Sequence, residues 1–125
     1  MKLSLVASTI FIATGLAKFV RVELEPPLNW VASQELNERK ACKDVKAAYH
    51  EYPNAEAWAA YVLKICQSTD CACTTSLGFS IPVYNSSDDR EWIGEMFRGN
   101  STTEKDFVRV VPIKDSIAYT LQKDE

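Results

Sequence analysis

The alternation of hydrophobic and polar positions changes period several times along the chain, and each change predicts an element. Lys18 to Leu24 alternates, with Val20, Val22 and Leu24 on one face, which predicts a short strand ended by Pro26-Pro27. Ser33 to Tyr49 reads as a helix: Ser33 can cap it, Glu35 and Glu38 sit near its positive end, and Leu36, Val45 and Tyr49 can share a face with Cys42. Asn54 caps a second helix, Ala55 to Cys66, with Trp58, Tyr61, Val62 and Ile65 at helical spacing. Leu77 to Val83 alternates as a strand. Asp88 and Glu91 then open a short third helix carrying Trp92, Ile93, Met96 and Phe97, which Gly99 can end. Phe107 to Val111 and Ile117 to Leu121 read as two further strands. The order β-α-α-β-α-β-β predicts an α+β fold, helices on a small, mostly antiparallel sheet.

The first residues follow a different rule. Met1-Lys2 is a short positive start, and Leu3 to Ala17 contains no charge and no polar stripe. Its apolar core of about 14 residues has the proportions of a secretory signal and is short for a membrane span. Gly15 and Ala17 are the small residues expected before a cut ahead of Lys18. Residues 1–17 are therefore expected to be a signal peptide and residues 18–125 a single secreted, extracellular domain. No later apolar run suggests stable membrane insertion.

Cysteines and sequons fit that route. Cys42, Cys66, Cys71 and Cys73 are an even set in a short exported chain, which points to two disulfides. A Cys71–Cys73 bridge would strain its one-residue loop. Cys42–Cys71 with Cys66–Cys73, and Cys42–Cys73 with Cys66–Cys71, both remain open. The spacing is not that of a zinc finger, and no metal or cofactor is expected. Asn85-Ser86-Ser87 and Asn100-Ser101-Thr102 are glycosylation sequons in polar segments.

Charge and chemistry narrow the function. A net charge of −3 excludes a generic basic nucleic-acid binder. The one histidine, His50, has Glu51 as its neighbour, and adjacent helical residues point in different directions. It reads as an exposed residue at a helix end. Glu23/Glu25 and Asp88-Asp89 read as solvated acids, since a chain this short leaves little room for a sugar cleft. Of three tryptophans, Trp58 and Trp92 read as core. Trp30 is the candidate for a binding surface.

Cys66-Gln-Ser-Thr-Asp70-Cys71-Ala-Cys73 superficially resembles part of the fungal eight-cysteine CFEM domain, in which an aspartate serves haem. Half of that family's cysteines are missing and Asp70 abuts Cys71, so no haem role is assigned. In architecture the chain resembles small secreted cysteine-containing effectors of plant-associated fungi. The segment Cys42 to Cys73 is similar to their killer-toxin-like and necrosis-inducing groups. That resemblance implies a monomeric protein without enzymatic activity that binds a protein or cell-surface target of a host or competitor. The alternatives are a small secreted hydrolase or nuclease using His50, and a ligand carrier with a pocket from Trp58, Trp92 and Phe97.

Overall fold

The computed structural model describes residues 18–84 and 89–122. The proposed signal peptide, Asn85 and Asp88 lie outside the described residues. Strands β1 (Phe19–Arg21), β3 (Val45–Ala48), β4 (Thr75–Pro82), β5 (Arg90–Phe97) and β7 (Lys114–Leu121) form one sheet in the order β1-β7-β4-β5-β3. Strands β2 (Trp30–Ala32) and β6 (Phe107–Arg109) form a separate ribbon. Every strand pair is antiparallel. Helix α1 is one turn, Gln34–Asn37, and α2 spans Ala55–Ser68. The α+β class and the antiparallel sheet are as the pattern predicts; the order of elements is not.

One face of the sheet carries α2. Gly78 of β4 lies opposite Gly94 of β5, and the two form a shallow seat under the helix. A methyl carbon on Gly78 would come within 2.9 Å of Trp58 Cδ1, and one on Gly94 within 2.6 Å of Val62 Cγ2. Trp58, Val62 and Cys66 of α2 thus pack on Trp92 and Met96 of β5. Asn54 caps the helix as predicted, its Oδ1 accepting from Ala57 N–H at 2.8 Å. The opposite face carries Leu77, Phe79, Phe97 and Ala118, covered by Trp30 and Ala32, Leu36 and Phe107 of the ribbon side.

One predicted helix gives way to a strand after its first turn, and another is a strand throughout. The helix expected over Ser33–Tyr49 stops after one capped turn. Beyond it Lys40 bridges to Phe97 and the Ala41 N–H donates to the Met96 carbonyl at 2.9 Å, while Cys42 adopts a left-handed backbone. These bonds peel the chain into β3, which pairs with β5 from Val45↔Gly94 to Ala48↔Glu91. The third helix is β5. Trp92, Gly94 and Met96 face α2, whereas Ile93 and Phe97 pack on the other side. A strand covered on both faces loses its polar alternation, and its apolar spacing then mimics a helix.

Candidate functional site

Pairing resolves the cysteines first. Cys42 joins Cys71 and Cys66 joins Cys73, with Cα separations of 5.4 and 5.3 Å. The first bridge ties the segment leading into β3 to the turn after α2. The second ties the end of α2 to the segment entering β4. Together they fasten the edge strand and the helix around the Trp58–Trp92 core.

From that core an aromatic series runs outward to the surface. Trp58 and Trp92 stack at 6.1 Å, each fully buried, with indole N–H groups donating to the Ile93 carbonyl at 2.8 Å and the Tyr49 carbonyl at 3.0 Å. Tyr49, in the 3-10 turn Tyr49–Glu51 that follows β3, stacks on Trp92 at 4.7 Å. Tyr61 of α2 stacks on Trp58 at 5.5 Å, and Tyr52 meets Trp58 edge-on at 4.9 Å and Tyr61 at 5.6 Å. Tyr49 and Tyr61 remain 38% and 41% exposed. Lys46, Ala47, Glu51, Tyr52, Trp58 and Tyr61 line a cleft of about 340 Å³ between β3 and α2.

A polar brace fixes the Tyr49 end. β7 carries a bulge where Asp115 and Ser116 oppose Phe79, and Asp115 takes a left-handed backbone with φ 66°. The Asp115 carboxylate accepts from the Tyr49 hydroxyl at 3.1 Å and from the buried Ser80 hydroxyl at 2.8 Å. Arg90 Nε donates to Ser80 Oγ at 2.9 Å, and its Nη2 donates to the Ser80 and Pro112 carbonyls. Burial and the Asp115 charge push the Tyr49 phenol above its ordinary pKa, and burial with Tyr61 and Glu51 does the same for Tyr52. Both phenols stay protonated donors at neutral pH. Glu51 is held in place by accepting from Ala48 N–H at 2.9 Å.

The other sequence candidates fall elsewhere. Trp30 is buried, 8% exposed, so it is no exposed binding residue. Its indole N–H donates to the Glu25 carbonyl at 2.9 Å, and the Arg109 guanidinium lies 4.1 Å over its ring. His50 is exposed beside Tyr49, and no hydrogen bond joins it to a carboxylate among the described residues. Phe97 lies on the opposite side of the sheet from Trp58 and Trp92, and all three are packed core. The carrier pocket built from those three is therefore filled. Asn100 is exposed in the turn after β5. No described helix is long and apolar enough to cross a membrane. Sequence reasoning missed this aromatic surface, the cleft of Tyr52 and Tyr61 with Tyr49 beside it, because Tyr49 and Tyr61 read there as helix-face core; the clustering of Tyr49, Tyr52, Trp58 and Tyr61 within thirteen positions was the available signal.

Scans against protein-family models, curated proteins and solved structures returned no match.

Proposed function

We propose that the protein is a secreted interaction protein, of the effector or toxin-like kind, that binds a host or competitor target through the tyrosine-lined cleft. The observation that carries this reading is the packing of the cleft tyrosines Tyr52 and Tyr61 on the buried Trp58, with Tyr49 stacked on Trp92 beside them. A tyrosine already held against a rigid partner loses little side-chain entropy on binding, and it offers an apolar face with a donor at its tip. Such residues dominate binding energy in protein interfaces. The signal-like N-terminus, the two bridges and the sequons support export.

The test is binding of labelled, secreted protein to candidate host tissue and competitor cells. Tyr52→Ala combined with Tyr61→Ala should weaken binding at least tenfold while circular dichroism stays native. His50→Ala should leave binding and biological activity nearly intact, since an exposed side chain away from packing shifts stability by under about 0.5 kcal/mol. A folded double-tyrosine variant that binds like wild type sinks the cleft as the contact surface. A folded His50→Ala protein that loses all activity favours the hydrolytic alternative.

A further inference from the structure

The turn that carries the second sequon is fastened in an unusual way. Asn100 is exposed, and its carbonyl accepts from Arg39 Nη1 at 3.2 Å. Its two successors are strapped to the end of β7. The Ser101 hydroxyl donates to the Leu121 carbonyl. The Thr102 N–H donates to Thr120 Oγ1 at 2.9 Å. Thr102 itself is 4% exposed, with its hydroxyl 3.2 Å from that of the buried Thr75, which in turn lies 3.0 Å from Thr120 Oγ1. Thus the acceptor amide faces solvent while the hydroxyl that completes the acceptor triplet is locked in a three-threonine network.

We infer that Asn100 is an N-glycan acceptor only while β7 has not yet closed over the Asn100–Thr102 turn, so that folding itself ends the modification. Transfer from a lipid-pyrophosphate-linked oligosaccharide breaks the sugar C1–O bond and forms a C1–N bond to Asn100 Nδ2. The amide proton goes to a base of the transferase, and the lipid pyrophosphate leaves. The transferase must engage the hydroxyl of the third residue, because the triplet is defined by serine or threonine there. In the folded chain, engaging Thr102 means breaking its contacts with both Thr75 and Thr120. Thr75 on β4 precedes Asn100, but Thr120 and Leu121, which hold the Thr102 N–H and the Ser101 hydroxyl, come from β7, 18 and 20 residues further on, so the chain enters the lumen with Asn100 ahead of the part that closes its lock. Once attached, a glycan on exposed Asn100 projects into solvent and leaves the network in place.

The inference rests on the export reading for its occurrence in cells, and the test is independent of export. Purified protein with Asn85→Gln is presented to solubilised oligosaccharyltransferase and its lipid-linked donor, either folded and oxidised or reduced, alkylated and unfolded. Peptide mapping then scores Asn100. The unfolded chain should be modified at least tenfold faster than the folded one. Thr120→Ala, which releases the Thr102 N–H, should bring the folded protein closer to the unfolded rate. Should Thr120→Ala fail to fold, the wild-type pair of rates decides alone. Equal rates for the folded and unfolded wild-type chain overturn the folding lock, and an unfolded chain unmodified at Asn100 overturns the site.

Discussion

Glu95 shows how one residue tunes the molecule. It sits on β5 facing away from α2, where burial pushes its carboxyl above the usual range, and the Lys40 ammonium 3.3 Å away only partly offsets this. Lys40 itself loses hydration, yet its hydrogen bond to Asp44 and the charges of Glu95 and Asp44 hold its pKa above the ordinary value. For a carboxyl raised in the native state, the folded protein binds the proton more tightly than the unfolded chain. Its contribution to stability is then full below the unfolded value of 4.5 and is lost as pH rises through the native value. Glu95→Gln should therefore flatten the fall in urea midpoint between pH 4 and pH 7. An unchanged slope in the variant removes Glu95 as its source.

At the scale of elements, the seat of α2 is the decisive contact. Gly78 and Gly94 face each other across β4 and β5, and the helix lies close because neither has a side chain. Gly94→Ala would place a methyl 2.6 Å from Val62 and 2.7 Å from Val45, backed by the sheet on one side and the helix on the other. Such overpacking should cost about 1–3 kcal/mol, read as a lower urea midpoint with an unchanged m-value. It should also loosen the tyrosine cleft, whose two walls are β3 and α2. A Gly94→Ala protein as stable as wild type means the helix can shift without loss.

For the whole molecule, the bridges hold together what the sheet alone holds weakly. β3 is a four-residue edge strand, and Cys42–Cys71 ties the segment before it to the turn after α2. Cys66–Cys73 closes a loop of separation 7, the other of separation 29. Each bridge should stabilise by roughly 2–4 kcal/mol through the unfolded state. Mild reduction should thus lower the unfolding temperature steeply and abolish target binding by freeing the cleft wall. Intact mass of the oxidised protein should be four hydrogens short of the reduced chain; four free thiols would contradict both bridges.

What the sequence determined by itself is local chemistry: the Ser33 and Asn54 caps, the i, i+3, i+4 stripe of α2, the alternation that makes β4, and an even cysteine set. Each depends on neighbours a few residues away. Tertiary structure decided the rest. Residues 38–48 left the helical path because Met96 and Phe97 supply backbone partners more than fifty positions away. β5 was hidden because layers cover both its faces, and which cysteines pair depended on where β3 and the end of α2 come to lie. The tyrosine cleft joins β3, a 3-10 turn and α2, and the Asn100 turn is locked by β4 and by β7 some twenty residues further on. No local period records those juxtapositions, because they come from long-range pairing and from the glycine seat that lets one helix settle on one face of the sheet.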